Sequence, residues 1–262
     1  MGNKLIREIQ RIVGAFIFYS RIPFPSNWIS TKTSNCSRYF SLVGWFVGGV
    51  TVSTFLISQI IFSDSSKILN EVNLPISILL GMIVSVLLTG ALHEDGFVDT
   101  CDGIAGGWTS EERIKIMKDS RIGTYGAVGL VMLVLVKFFT LLHIENEILP
   151  YVWFAGNAIS RFVSISQLLV LDYVQDTSMS KSGQMTNVSI IDLITNAIFG
   201  LLPLLFIALE VWLVFAVLAV LWFFLVILFK RTLGGTTGDC LGATQQLSEV
   251  VFYLCLASKF ST

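Results

Sequence analysis

Seven long apolar stretches constrain this chain more than any other feature of its sequence. They cover residues 39–62, 75–92, 125–142, 149–171, 190–207, 211–229 and 241–256. Their lengths approach the roughly 20 residues that an α-helix needs to cross a bilayer, and they lack the alternating polarity of a barrel strand. We therefore predict an all-α, polytopic helical membrane protein of about seven spans, with one integral membrane domain over residues 1–262. The last stretch is the weakest, because Gln245, Gln246 and Glu249 interrupt it.

Charged residues are scarce and balanced. They make up 13% of the chain, and the net charge is −1. A soluble domain typically carries about 25% charged residues. This composition predicts the lipid bilayer as the surroundings of the protein and gives no reason to expect a nucleic-acid partner.

The distribution of Lys and Arg predicts the orientation in the membrane. Nearly all of them outside the spans fall before the first span or in every second loop after it. Because such residues favour the cytoplasmic side, we expect a cytoplasmic N-terminus in a bacterial inner membrane. Residues 1–38 read as an N-terminal interfacial segment, since Lys4, Arg7 and Arg11 alternate with apolar residues. The motif loop at residues 93–124, and with it the active site, then faces the cytoplasm.

An acidic motif follows the second apolar stretch. Asp95, Asp99 and Asp102 stand at positions i, i+4 and i+7, which share one face of a helix. Carboxylates that crowd one face repel each other unless a cation lies among them, and oxygen ligands suit Mg²⁺. We predict that these three residues are catalytic and bind Mg²⁺. The alternative is a solvated acidic loop. His93, just before them, is either a base or only a neighbour.

Basic residues follow the acidic motif. Thr109 and Glu112 have the spacing of a capping box, which predicts a short helix after residue 107. Lys118, Asp119 and Arg121 come at its end. Cations beside an acidic cluster suit a site that binds phosphate groups, so we assign Lys118 and Arg121, together with Asp119 between them, to substrate or phosphate binding.

Two further arginines lie in sequence surroundings that suggest a role in binding. Arg161 lies inside the fourth apolar stretch, where a charge needs a polar cavity or a carboxylate partner; a structural salt bridge is the alternative. Arg231 opens a glycine-rich segment that ends at Asp239, and such backbone can present N–H groups to phosphate. We expect Arg161, Arg231 and Asp239 to bind substrate or phosphate and to share one cavity with the acidic motif.

Several of these motifs, in this order, resemble the cobalamin synthase family, also called adenosylcobinamide-GDP ribazoletransferases. The similar segments are residues 18–25, 93–103, 116–126, 160–161 and 231–243, so the resemblance extends over nearly the whole chain. Glu94 is a departure, because some members of that family have an apolar residue there.

The resemblance implies a Mg²⁺-dependent transferase of vitamin B12 synthesis. Such an enzyme joins α-ribazole, or its 5′-phosphate, to adenosylcobinamide-GDP and releases GMP. Its product is adenosylcobalamin or the 5′-phosphate of adenosylcobalamin, and the step assembles the nucleotide loop. The implied partners are these two substrates, with other late enzymes of the cobalamin pathway and a second copy of the chain as further candidates.

Two other functions remain open at the level of sequence. A CDP-alcohol phosphotransferase begins its motif with Asp-x-x-Asp-Gly, as at residues 99–103, but then needs Ala-Arg where this chain has Ile104 and Ala105. A cation-coupled or proton-coupled transporter would place charges in mid-span and repeat its fold in inverted form. The sequence contains no convincing repeat, and its acidic motif lies at the end of a span.

Overall fold

The computed structural model describes residues 2–25, 36–62, 67–174, 188–207 and 212–259. Lys181, in the loop between the fourth and fifth predicted stretches, and Glu210, in the link between the fifth and sixth, lie outside these residues. Within them the chain forms ten α-helices: α1 (Gly2–Tyr19), α2 (Phe40–Ile61), α3 (Lys67–Thr89), α4 (Leu92–Gly106), α5 (Ser110–Met117), α6 (Thr124–Leu142), α7 (Leu149–Ser166), α8 (Ile190–Leu201), α9 (Trp212–Leu233) and α10 (Gly238–Ala257). Short 3₁₀ helices precede α2 and follow α7 and α8, at Cys36–Tyr39, Gln167–Leu169 and Leu202–Phe206.

The all-α prediction is confirmed, and each predicted apolar stretch contains a helix. By length and composition, three of the described helical segments qualify as membrane spans: Cys36–Ile61, Thr124–Leu142 and Leu213–Leu233. The pair α3 and α4 supplies a fourth candidate that is sharply bent. Helices α7, α8 and α10 fill the other three predicted stretches, but they are shorter or more polar than a lipid-facing span.

Large apolar side chains cover the outside of α9. Val220, Phe223 and Phe224 are 69%, 59% and 60% exposed, although each would normally avoid water. An exposed apolar surface of this kind is what a helix presents to lipid. The protein is therefore a membrane protein whose outer helices face the bilayer.

Helices α7 and α10 form the centre of the bundle. Helix α7 packs on α2, α8 and α10, and α10 packs also on α4, α6 and α9. Small residues allow these close contacts: a Cβ at Gly156 would collide with the ring of Tyr253, and one at Gly44 with the carbonyl of Asn157. Close backbone approach replaces the hydrophobic effect as the main source of helix association inside a bilayer. Polar side chains on α7 and α10 can therefore face each other rather than lipid.

A sharp corner separates α3 from α4. The two helices meet at 85°, and Gly90 and Ala91 at the corner have φ values of 65° and 58°. Left-handed backbone costs about 1–2 kcal/mol for a residue with a side chain, so Ala91 must be held in place. The N–H of Arg21 donates to the carbonyl of Leu88 at 2.7 Å, and the Arg21 side chain fills the space beside Gly90. The bend turns α4 sharply away from the axis of α3.

Candidate active site

The acidic motif occupies α4, and α4 lies directly against the first turn of α10. A Cβ at Gly96 would lie 2.9 Å from both the Cα and the carbonyl oxygen of Asp239. A Cβ at Gly242 would lie 3.2 Å from the carbonyl oxygen of His93. The two glycines thus let α4 and α10 touch backbone to backbone. This contact brings Asp239 to the acidic face of α4, which no local pattern in the sequence could place there.

Asp99 lies within electrostatic range of three other carboxyl groups. Burial raises its pKa to about 7, helped by the negative charges of Asp239, Asp95 and Asp102. Asp95 is exposed, whereas Asp99 and Asp239 are partly buried. Helices α4 and α10 therefore gather four carboxyl groups, and a divalent cation would relieve their mutual repulsion.

Asp102 differs from the other two predicted aspartates. Its carboxylate is buried and accepts 2.8 Å hydrogen bonds from the backbone N–H groups of Gly123 and Gly126. These groups lie at the start of α6, whose first N–H groups have no partner within the helix. A Cβ at either glycine would collide with the carboxylate. Asp102 thus caps α6, and its role as a metal ligand stays a prediction.

The carboxylates suit a divalent cation that is bound jointly by the protein and by the phosphate oxygens of a substrate. Among the described residues, no three His, Cys, Asp or Glu side chains form a ready metal-binding group. Mg²⁺ in phosphoryl-transfer sites, however, is usually held by one or two carboxylates and completed by water and substrate oxygens. Asp95 and Asp239 line the same cavity and meet that requirement.

That cavity has a volume of about 160 Å³ and lies between α1, α4 and α10. Asp95 and Asp239 lie on its polar side. The rest of its wall is mainly apolar and aromatic and includes Phe18, Tyr19, Phe40, Leu92, Ile165 and Leu241. An acidic edge beside an aromatic wall can bind a charged group and a planar apolar group at once.

His93 also lines this cavity. Its ring is buried, lies 5.4 Å from the ring of Phe40, and has no hydrogen-bond partner at Nε2. Burial, with the charges of Arg161 and Lys137, lowers the pKa of His93 well below its usual range. The ring is therefore neutral at physiological pH, and its unpartnered nitrogen is free for a ligand.

The predicted basic residues after α5 are on the surface. The capping box of Thr109 and Glu112 is confirmed at the start of α5. Lys118 is exposed, and Arg121 pairs with Asp119 at 2.6 Å. Hydrogen bonds from Arg121 lower the pKa of Asp119 to about 2. The bond from Gly123 to Asp102 fixes this loop to α4, so Arg121 lies two residues from a point anchored to the acidic helix.

The structure separates Arg161 from Arg231, which were expected to share one cavity. Arg231 is exposed at the end of α9, whereas Arg161 is 1% exposed inside the bundle, and neither lines the cavity of Asp95 and Asp239. Two backbone N–H groups of the glycine-rich segment are hydrogen-bonded within the protein. The N–H of Gly234 donates to the backbone carbonyl of Lys230, and the N–H of Thr236 donates to the backbone carbonyl of Asp172.

A buried polar network surrounds Arg161 and was not predicted. Lys137 on α6 lies 3.1 Å from the carboxylate of Glu249 on α10, which also accepts hydrogen bonds from Tyr253 and Gln245. Arg161 donates to the carbonyl of Asn157 and lies within electrostatic range of Glu249 and Glu94. The signal was in the sequence, because polar residues at positions 245, 246 and 249 interrupt an apolar stretch. They face the interior and not lipid.

Arg21 is the other residue that the predicted site lacked. It belongs to the sequence motif at residues 18–25, which by itself indicates no role for it. In the structure its side chain packs on Gly90 at the corner before α4, next to the helix that carries Asp95. Arg21 is exposed and offers a cation beside Gly90, just before the start of the acidic helix.

Comparison with known proteins supports one family. A family model described as cobalamin-5-phosphate synthase matches residues 11–257. A protein of Shewanella frigidimarina named adenosylcobinamide-GDP ribazoletransferase is 39% identical over 267 residues, covering 97% of this chain and 96% of the relative. Proteins of the same name from Shewanella sp. (strain W3-18-1) and Leptospira interrogans are 38% and 35% identical, covering 95% and 99% of this chain and 94% and 99% of their own lengths. No solved structure gives a significant match.

Proposed function

The chain belongs to the cobalamin-5-phosphate synthase family, and we propose that it is an adenosylcobinamide-GDP ribazoletransferase. In this reaction α-ribazole, or its 5′-phosphate, joins adenosylcobinamide-GDP, and GMP is released. The observation that carries the proposal is the meeting of Asp95 and Asp239 at one cavity with an aromatic wall. A nucleotide diphosphate and a planar base are the two groups that such a cavity suits.

The bond changes fit this site. An oxygen of a ribose hydroxyl forms a bond to the phosphorus that carries the cobinamide, and the bond from that phosphorus to the GMP oxygen breaks. GMP departs with the bonding electrons, and the hydroxyl proton passes to solvent. Transfer of this kind asks the protein mainly to position the reactants and to stabilise charge.

Asp95 and Asp239 are the residues that would hold Mg²⁺, with Asp99 beside them. When bound, the ion would neutralise the diphosphate and the charge that develops on the leaving phosphate. The carboxylates themselves need fixed positions, and the packing of Gly96 on Asp239 supplies one. The crowding around Asp99 supports the proposal, because four carboxyl groups without a cation repel each other.

Exposed cations on segments attached to α4 would bind the phosphates. They are Arg21 at the corner before α4 and Arg121 on the loop tied to Asp102. Lys118 and Asp119 accompany Arg121 on that loop. Arg231 stays a predicted phosphate ligand that lies on the surface at the end of α9. Arg161 is better explained as the positive centre of the buried network.

We further propose that the cavity faces the cytoplasm of a bacterial inner membrane. The strong bias of Lys and Arg toward the N-terminus and alternate loops supports this orientation.

The proposed activity is tested with purified protein in detergent or nanodiscs. Supplied with adenosylcobinamide-GDP, α-ribazole and Mg²⁺, the protein should release GMP, and chelation of divalent ions should stop the release. Asp95→Asn and Asp239→Asn should each lower the rate by roughly 100-fold or more and raise the Mg²⁺ concentration needed for half of the maximal rate. Glu147→Gln is the matched control, since this exposed carboxylate lies on the loop between α6 and α7. Normal turnover in both Asn variants would refute the assigned site.

A further inference from the structure

The aromatic part of the cavity has the properties of a pocket for one planar base. Tyr19 stacks on Phe40 with ring centroids 4.0 Å apart, and Ile165 and Leu241 close the wall. An apolar cavity of about 150 Å³ is large enough to bind benzene. The volume of about 160 Å³ in this protein therefore accepts an aromatic ring system but not a corrinoid.

Two buried polar groups in the wall have no partner within the described protein. They are the hydroxyl of Tyr19 and the Nε2 atom of His93, in side chains that are 2% and 4% exposed. A buried polar group without a hydrogen bond costs about 1–3 kcal/mol, so proteins rarely leave one unused. Two such groups around one cavity indicate a ligand that is mostly apolar and carries a hydrogen-bonding atom.

We propose that this recess, bounded by Tyr19, Phe40, His93, Ile165 and Leu241, binds the benzimidazole base of the ribazole substrate. The inference rests on the proposed function and assigns one of its two substrates to a defined part of the site. The base is a planar bicycle with methyl groups and a single free ring nitrogen. The Tyr19 hydroxyl donates to that nitrogen, and the adjoining Asp95 and Asp239 leave the diphosphate of the other substrate on the polar side.

Guanine is the rival occupant, because adenosylcobinamide-GDP also carries a planar bicyclic base. Guanine presents several donors and acceptors around its edge, and each must be satisfied when the base is buried. Among the side chains of the part of the chain that the structure describes, the aromatic wall offers the Tyr19 hydroxyl and the His93 nitrogen for that purpose. The two carboxylates could bind guanine only by giving up the diphosphate. The apolar character of the wall therefore favours the benzimidazole.

Two variants test the recess in different ways. Tyr19→Phe removes one hydroxyl and should raise the KM for α-ribazole by roughly tenfold, the value of a lost hydrogen bond of about 1.4 kcal/mol. The Tm should not fall, since this hydroxyl has no partner in the protein. Ile165→Phe fills the recess and should raise the same KM by at least about tenfold. Both variants should leave the KM for adenosylcobinamide-GDP within about twofold of its normal value.

The dependence of affinity on the size of the base provides a further test. A purely structural effect of the substitution would not change this dependence. In Ile165→Phe, a benzimidazole riboside without the two methyl groups should lose less affinity than α-ribazole does. Ala219→Phe is the control, because it adds the same ring to a separate apolar groove between α7 and α9. A rise confined to the KM for adenosylcobinamide-GDP would overturn the proposal and assign the recess to guanine. Unchanged KM values for both substrates in both variants would also overturn it.

Direct binding separates this proposal from the proposed activity. Calorimetry with α-ribazole alone should show binding to the unmodified protein, weaker binding to Tyr19→Phe and none to Ile165→Phe. A protein that binds α-ribazole in this way but releases no GMP would refute the proposed activity and support the assignment of the recess to the benzimidazole base. A protein that releases GMP while all variants bind α-ribazole equally would refute the assignment of the recess to the benzimidazole base and support the proposed activity.

Discussion

Replacing Asp102 by asparagine should destabilise the protein, unlike the same change at Asp95. Both oxygens of Asp102 accept hydrogen bonds of 2.8 Å from backbone N–H groups at the start of α6. Asparagine keeps one acceptor oxygen, but its amide group turns N–H donors toward an N–H of the protein. The loss of one hydrogen bond to a charged acceptor is worth about 1.5–3 kcal/mol, and the lost charge at a helix N-terminus adds about 0.3–1 kcal/mol.

The total of about 2–4 kcal/mol predicts a fall in Tm of roughly 4–16 °C for a chain of this size. Thermal unfolding in detergent, followed by the fraction that stays monodisperse, measures it. Asp95→Asn should leave the Tm unchanged or raised, because it removes one of several repelling charges, and should instead raise the Mg²⁺ requirement of GMP release. Gly126→Ala is a companion test, since its new methyl group would displace the same carboxylate. If Asp102→Asn kept the normal Tm and shared the Mg²⁺ defect of Asp95→Asn, the capping role would be wrong and Asp102 would be a ligand.

Three further predictions follow from the buried network, the acidic cluster and the orientation. Lys137→Met and Glu249→Gln should each cost about 3–5 kcal/mol as single changes, and the double variant should recover much of that loss in a Tm cycle. The raised pKa of Asp99 means that the folded protein holds this proton more tightly than the unfolded chain, so its contribution to stability falls as the pH rises toward and past about 7. Asp99→Asn should therefore raise the Tm at pH 8 in EDTA but not at pH 4, and an equal change at both would contradict the cause given. An impermeant thiol reagent added to intact cells should label Glu147→Cys and spare Glu111→Cys; the reverse pattern would invert the proposed topology.

The sequence predicts the elements of the fold better than the roles of its polar residues. Apolar runs locate the membrane helices, and the spacing of Thr109 and Glu112 locates the start of α5, because these signals are local. The corner at Gly90 and Ala91 was missed, since its backbone is held by Arg21 from a distant segment. Asp102 was grouped with Asp95 for the same reason. Spacing on a helix shows which face a residue shares, but not what the rest of the chain brings to that face.

The same limit explains why the seventh apolar stretch is weak, because its polar residues contact other helices. One of these contacts connects the stability of the bundle to the candidate active site. Gln246 donates a 3.0 Å hydrogen bond to Glu94, which joins α10 to α4 one residue before Asp95. The carboxylates of these two helices repel each other at the cavity, so the helices need attraction elsewhere. The Glu94–Gln246 bond supplies this attraction, and the nearby ion pair of Lys137 and Glu249 joins α10 to α6. Glu94, which seemed a departure from the family pattern, thus belongs to the structure that holds the acidic site together.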